Sequence, residues 1–120
     1  MAKKCLLVDD SPLIHTLLKK TLEKNGYEVC GDAINGREGV ELYEKLRPDI
    51  VFMDINMPVM DGLAAATQIK REDPGARIIM LSALGDESII RQAEEMGIGI
   101  FLKKPFDDYK IISSIAMLIE

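Results

Sequence analysis

Short apolar stretches alternate along the chain with longer segments in which apolar residues recur every third or fourth position. The short stretches are typical of strands buried on both faces, and the periodic segments are typical of helices with one buried face. The predicted strands are Cys5–Val8, Glu28–Ala33, Ile50–Met53, Ile78–Leu81 and Ile98–Leu102. The predicted helices are one between Ser11 and Gly26, then Arg37–Leu46, Gly62–Arg71, Asp86–Met96 and Asp107–Leu118.

This alternation predicts five consecutive βα units and therefore a parallel sheet with right-handed crossovers. The 120 residues are too few for an eight-fold barrel, which leaves an open, doubly wound α/β sheet. No repeat, linker or low-complexity segment is visible, so residues 1–120 are expected to form a single domain. In such sheets ligands bind beyond the carboxyl ends of the strands, where the candidate chemistry should be sought.

Polar side chains stand at four of these strand ends. Asp9 and Asp10 follow the first strand, and Asp54 follows the third. Ser82 comes directly after the fourth strand, and Lys104 lies just beyond the fifth. Because the carboxyl ends of parallel strands meet at one edge, we expect these five side chains to converge.

Three carboxylates at one place need a counter-charge. Two unit charges about 4 Å apart repel by roughly 4 kcal/mol at an effective dielectric of about 20. Protonation is one remedy, and a hard divalent cation held by oxygen ligands is another. A cation together with Lys104 would leave room for a dianionic phosphoryl group, to which Ser82 could donate a hydrogen bond. These are the parts that phosphoryl transfer requires.

Each of these signals is weak alone. An Asp-Asp-Ser sequence before a helix is more often a helix cap than a functional site, and a serine after a strand is nearly uninformative. The same caution applies to His15, which we interpret as a solvated side chain without a catalytic role. The interpretation as a phosphoryl-transfer site depends on finding suitable polar residues after four strands of the same five-unit βα chain.

Composition and charge narrow the function classes. Apolar residues make up 48% of the chain and the net charge is −5, which favours a globular domain and disfavours direct nucleic-acid binding. The first apolar run is only four residues long, too short for a signal peptide core or membrane insertion, so a cytoplasmic location is expected. Cys5 and Cys30 form no CxxC motif and are interpreted as small buried hydrophobic residues.

Four sequence motifs together resemble a known family. They are Val-Asp-Asp-Ser, Met-Asp-Ile-Asn-Met-Pro-Val-Met-Asp-Gly, Leu-Ser-Ala and Phe-Leu-Lys-Lys-Pro-Phe. The chain resembles the receiver domains of two-component response regulators, especially stand-alone chemotaxis regulators of the CheY type, from Lys3 to Ile119. The resemblance implies a flavodoxin-like sheet of strand order 2-1-3-4-5 with five helices.

The resemblance also implies residue roles. Asp54 is expected to be the phosphoacceptor, and Ser82 and Lys104 are expected to contact the phosphoryl group. Asp9, Asp10 and Asp54, together with the backbone carbonyl of Asn56, are expected to hold Mg²⁺ or Mn²⁺. The bond between Lys104 and Pro105 is expected to be cis, and Phe101 occupies an aromatic switch position with Ser82. Phenylalanine stands there instead of tyrosine, so this switch lacks a hydroxyl hydrogen bond.

The function implied is that of a phosphorylation-activated signalling switch, with chemotaxis as the candidate pathway. A sensor histidine kinase would donate the phosphoryl group, and the surface of the fourth helix, fifth strand and fifth helix would then bind a downstream target protein. Asn56 and Leu84 flank the site and are expected to influence the rate of dephosphorylation. The protein would not be an enzyme in the usual sense, although it would catalyse its own phosphorylation and dephosphorylation.

Three alternatives remain open at this point. A Mg²⁺-dependent aspartyl-nucleophile phosphatase would carry Asp-x-Asp after the first strand, where this chain has Asp9-Asp10-Ser11. A flavin-binding flavodoxin would need a phosphate-holding first loop, which two acids would repel. The chain could also be a receiver excised from a larger transcriptional regulator.

Overall fold

The computed structural model describes residues 2–119, which form a five-stranded parallel sheet of order β2-β1-β3-β4-β5. The strands are β1 (Lys4–Val8), β2 (Glu28–Ala33), β3 (Ile50–Asp54), β4 (Ile78–Ser82) and β5 (Phe101–Lys103). The helices are α1 (Pro12–Lys24), α2 (Gly36–Leu46), α3 (Gly62–Glu72), α4 (Glu87–Glu95) and α5 (Asp108–Ile119). The predicted α/β class, strand order and five helices are confirmed.

The two faces of the sheet carry separate cores. Alternate residues of each strand point to opposite faces, so Leu6 and Met53 enter one core while Leu7 and Phe52 enter the other. The first core lies under α2, α3 and α4, and the second under α1 and α5. All five residues of β3 are buried, as expected for the central strand of a doubly wound sheet.

Side-chain caps fix where three of the helices begin. Ser11, Asn35 and Asp61 each accept a hydrogen bond from the backbone N–H three residues later. Such a cap satisfies one of the N–H groups that the first helical turn leaves without a partner. The first two of these helices begin within four residues of the strand before them, whereas the longer segment 55–61 connects β3 to α3.

The fifth strand is shorter than predicted. The apolar run begins at Ile98, but β5 begins only at Phe101. Gly97 has a positive φ of 89° and turns the chain at the end of α4, so Ile98 is buried as part of a loop. The apolar run that begins at Ile98 therefore starts with a buried loop residue, and only its second half belongs to the strand.

No helix within residues 2–119 is both long enough and apolar enough to cross a membrane.

Candidate phosphoacceptor and metal site

Three carboxylates meet at the carboxyl edge of the sheet. Asp9 directly follows β1, Asp10 comes next, and Asp54 is the last residue of the neighbouring β3. Each offers one oxygen, and the three oxygens lie within 4.8 Å of one another. Asp9 and Asp54 are buried whereas Asp10 is exposed, so the group opens to solvent on one side. The convergence expected from the strand order is present in the structure.

Lys104 joins two of these acids. Its Nζ donates to Oδ2 of Asp9 at 2.9 Å and to Oδ1 of Asp54 at 3.3 Å. Burial by itself would lower the pKa of Lys104, but the hydrogen bond with Asp9 and the negative charges of both acids outweigh it and raise the pKa. The ammonium group therefore stays charged and compensates part of the acidic cluster. The peptide bond between Lys104 and Pro105 is cis, as the resemblance implied.

The pKa of the Asp54 carboxyl group is higher than that of an ordinary aspartate. Burial and the neighbouring charge of Asp9 raise its pKa to about 6, against the opposing effect of Lys104 and a backbone N–H of Asn56. One ammonium group thus does not fully balance the three acids. The three acids offer carboxylate oxygens at a solvent-accessible edge of the sheet. Oxygen atoms of this kind are the ligands that Mg²⁺ prefers, so these residues fit a divalent cation.

The remaining predicted residues lie around this cluster. Ser82 is buried at the end of β4, adjacent to β3, and its backbone carbonyl accepts from the N–H of Lys104 at 2.8 Å. Asn56 is exposed two residues beyond Asp54. Phe101 is half-buried at the start of β5 and packs against the core beneath α4. Ser82 and Asn56 therefore flank the acids, while Phe101 lies at the opposite end of its strand from Lys104.

Two glycines allow backbone segments to approach the site closely. A Cβ added to Gly62 would lie 1.8 Å from the carbonyl oxygen of Asp54, and one added to Gly36 would lie 2.3 Å from that of Met60. The N–H of Gly62 donates to the carbonyl of Ile55 at 2.9 Å, and that of Gly36 donates to Met60, also at 2.9 Å. The start of α3 is thus fastened against the end of β3, and this contact fixes the backbone that carries Asp54.

The prediction that His15 is solvated is wrong. Its side chain is only 14% exposed; one ring nitrogen contacts Oδ1 of Asp32 at 3.0 Å and the other contacts the backbone carbonyl of Asp9. Ser11 supports the same acid, since its N–H donates to Oδ1 of Asp9 at 2.8 Å. His15 therefore helps to hold the chain that presents Asp9. Its position one turn into α1 placed it near the acidic edge, but its sequence neighbours did not indicate Asp32 as its partner.

The cysteines are only partly as predicted. Cys5 is fully buried, and burial is the main cause that raises the pKa of its thiol to about 12. Cys30 is half-exposed on the edge strand β2. Both are free thiols, so neither contributes a disulfide.

The fold and the site together define a doubly wound α/β domain with an acidic, lysine-bridged site beyond the carboxyl ends of its central strands. The family model of the response regulator receiver domain matches residues 5–116. The chain therefore belongs to the response regulator receiver domain family.

Individual relatives agree with this assignment. The chemotaxis protein CheY of Thermotoga maritima is 44% identical over 115 residues, which are 96% of each chain. CheY of Bacillus subtilis has the same identity and coverage. Among solved structures, a CheX-CheY-BeF3-Mg²⁺ complex from Borrelia burgdorferi matches with a TM-score of 0.93 and 32% identity, covering 98% of this chain and 90% of the other.

Proposed function

We propose that this receiver domain accepts a phosphoryl group on Asp54 and acts as a phosphorylation-dependent signalling switch. The observation that carries the proposal is the arrangement of Asp54 itself. Its carboxyl group lies at the end of the central strand, within 4.8 Å of the two other acids, and Lys104 bridges it to Asp9. A nucleophilic oxygen and a fixed positive charge thus stand side by side.

The transfer step assigns a separate task to each group. A carboxylate oxygen of Asp54 attacks phosphorus in a phosphohistidine, forming the O–P bond of an acyl phosphate while the P–N bond breaks. The electron pair of that bond stays on the histidine nitrogen, which takes up a proton. Lys104 offsets negative charge on the phosphoryl oxygens, and Ser82 donates a hydrogen bond to one of them.

The acidic cluster would hold the divalent cation. Asp9, Asp10, Asp54 and the backbone carbonyl of Asn56 are the proposed ligands, and carboxylate oxygens suit Mg²⁺ or Mn²⁺. When bound, such a cation neutralises negative charge on the phosphoryl oxygens and orients them. Asp54 is then left as the nucleophile, while the two neighbouring acids have their charges compensated.

The response to phosphorylation involves the neighbouring strands. The acyl phosphate adds about −2 charge at the carboxyl edge. Ser82 would turn toward it, and the space released would let Phe101, half-buried against the core beneath α4, turn inward. The surface formed by α4, β5 and α5 would then be rearranged for a downstream partner.

A sensor histidine kinase is the proposed phosphodonor. Exposed apolar side chains project at or beside the first four βα connections around the acidic cluster, and exposed groups of this kind favour contact with another protein. These are Leu13 (75% exposed), Ile34 (57%), Val59 (77%) and Leu84 (85%). The similarity to CheY proteins supports chemotaxis as the pathway, and a cytoplasmic location stays a prediction.

Two alternatives fit the structure less well. An aspartyl-nucleophile phosphatase would place its nucleophile after the first strand, whereas here the lysine-bridged Asp54 ends the third strand. A flavin phosphate would face the carboxylates of Asp9 and Asp10 after β1. A receiver belonging to a longer transcriptional regulator would use the same phosphoacceptor, and the proposal for Asp54 holds in either case.

The test is chemical labelling of the acceptor. Incubation with acetyl phosphate and Mg²⁺, followed by mass spectrometry, should place one phosphoryl group on Asp54 and none on an Asp54→Asn variant. Asp61→Asn is the matched control, because it removes a charge from the same loop while asparagine preserves the cap of α3. Equal labelling of the wild type and Asp54→Asn would refute the assignment. Continuous turnover of an added phosphomonoester would favour the phosphatase.

A further inference from the structure

Asp86 is a buried acid whose surroundings the proposed chemistry does not explain. Its relative exposure is 7%, and the salt bridges within the described residues leave it without a cationic partner. A buried carboxylate is costly unless hydrogen bonds replace its lost hydration. The hydrogen-bond donors that contact this carboxylate in place of water therefore indicate the role of Asp86.

Those donors come from two different loops. Oδ2 of Asp86 accepts from the backbone N–H of Ala83 at 2.7 Å. The side-chain amide of Asn56 lies 3.2 Å from Oδ1 and 3.4 Å from Oδ2. We call these three residues the Asp86 bridge.

Helix capping does not account for this arrangement. Asp86 occupies the N-cap position of α4, yet its side chain makes no capping hydrogen bond to that helix. In contrast, Asp61 uses its carboxylate to cap α3 in the usual way. The carboxylate of Asp86 is instead turned back over its own loop and across to the loop after β3.

Both loops belong to the phosphoacceptor site. Asp54 pairs with Leu81 in the register of β3 and β4, so the residues that follow each of them lie side by side at the carboxyl edge. Asn56 is two residues beyond Asp54, and Ala83 is two residues beyond Leu81. Ala83 is exposed, but its N–H is engaged by a buried carboxylate.

We propose that Asp86 is a positioning residue that holds the Ala83 N–H and the Asn56 amide in the resting protein, and that a phosphoryl group on Asp54 competes for these donors. The inference rests on the proposed function. Phosphoryl oxygens are strong hydrogen-bond acceptors, and their charge repels a nearby carboxylate, so both effects weaken the bridge. Because Asp86 directly precedes α4, opening the bridge frees the start of that helix.

Removal of the carboxylate should therefore favour the phosphorylated arrangement. In Asp86→Ala, the Ala83 N–H and the Asn56 amide are already released, so a phosphoryl analogue no longer has to displace Asp86. We expect beryllofluoride, added with Mg²⁺, to bind about tenfold more tightly than to the wild type, which corresponds to about 1.4 kcal/mol. Asp86→Asn keeps one acceptor oxygen but loses the charge, and should show a smaller change in the same direction.

A second measurement requires no cation. The Ala83 amide belongs to an exposed residue, yet its hydrogen bond predicts slow exchange with solvent in the resting protein. Exchange measured by NMR without Mg²⁺ should be markedly faster in Asp86→Ala. Glu87→Gln is the matched control, because it removes an exposed neighbouring charge and should change neither measurement.

The outcomes separate this inference from the proposed function. Beryllofluoride binding by the wild type that is lost in Asp54→Asn supports the function, whatever Asp86 does. If the wild type binds and Asp86→Ala binds equally or more weakly, the competition is overturned and the function stands. Unchanged Ala83 exchange in Asp86→Ala overturns the bridge itself. Should Asp86→Ala fail to fold, Asp86→Asn decides, and unaltered affinity in that variant overturns the proposal.

Discussion

The contact between Gly62 and the end of β3 gives a sharp test of how the site is held. In Gly62→Ala the new Cβ would lie 1.8 Å from the carbonyl oxygen of Asp54 and 2.9 Å from Cα of Ile55. Real Cβ contacts essentially never fall below 3.0 Å, so backbone atoms must separate by about 1.2 Å. The nearest atoms belong to the backbone of Asp54 and Ile55, which cannot rotate away as a flexible side chain can.

Two effects of this substitution oppose each other. Alanine is favoured over glycine within a helix by about 0.8–1.0 kcal/mol, and less at the first helical position. Overpacking typically costs about 1–3 kcal/mol, and a contact this close between backbone groups belongs at the upper end or beyond. We therefore expect Gly62→Ala to lower the free energy of unfolding by about 2 kcal/mol or more, and to displace the backbone of Asp54.

Urea unfolding and phosphoacceptor labelling measure the two consequences. Gly99→Ala is the matched control, because its added Cβ meets nothing within 4 Å and its φ is not positive. That variant should stay within about 0.5 kcal/mol of the wild type and be labelled normally. If Gly62→Ala unfolds as the wild type does and is labelled at the same rate, the close approach does not hold the site and the reasoning is refuted.

Three further predictions concern other parts of the molecule. Lys104→Met leaves two buried carboxylates without their shared ammonium group, so urea unfolding without divalent cations should show a loss of about 2–3 kcal/mol that added Mg²⁺ partly restores. Val59 has a φ of 69°, unfavourable for a β-branched residue, so Val59→Gly should raise the melting temperature, and an unchanged or lower value would contradict the strain. The hydroxyl of Tyr43 donates a hydrogen bond to Oδ2 of Asp73 at 2.6 Å, and this bond lowers the pKa of Asp73. Tyr43→Phe removes it. The resulting stability deficit, about 1 kcal/mol at neutral pH, should shrink as the pH falls below about 4 and Asp73 becomes protonated, and urea titrations across that range would show it.

The sequence was sufficient to predict the layers of the fold and the convergence of the acids. Continuous apolar runs identify strands buried on both faces, and polar residues directly after those runs must lie at one edge of a parallel sheet. For this reason the sequence alone predicts that Asp9, Asp54 and Lys104 lie close together. The start of β5 could not be placed in this way, because Ile98 is buried in a loop whose path depends on the positive φ of Gly97.

Side-chain contacts between residues that are distant in the chain could not be predicted in this way. His15 was predicted to be solvated, yet it packs between Asp32 and the backbone of Asp9. Asp86 looked like an ordinary start of a helix, and nothing in its sequence neighbours indicated Asn56 as its partner. His15 and Asp32 are 17 positions apart and Asn56 and Asp86 are 30 positions apart, so each contact depends on how distant parts of the chain pack together.

The division of the interior into two independent cores affects how such a domain can diversify. Substitutions beneath α4 alter packing on one side of the sheet, while Leu18, Leu22 and Ile115 on the other side keep their neighbours. Changes in separate layers that share no contacts are expected to be nearly additive in free energy. Libraries of variants that change residues of α4 to select a new binding protein can therefore leave α1 and α5 unchanged. The core beneath those two helices then continues to stabilise the fold.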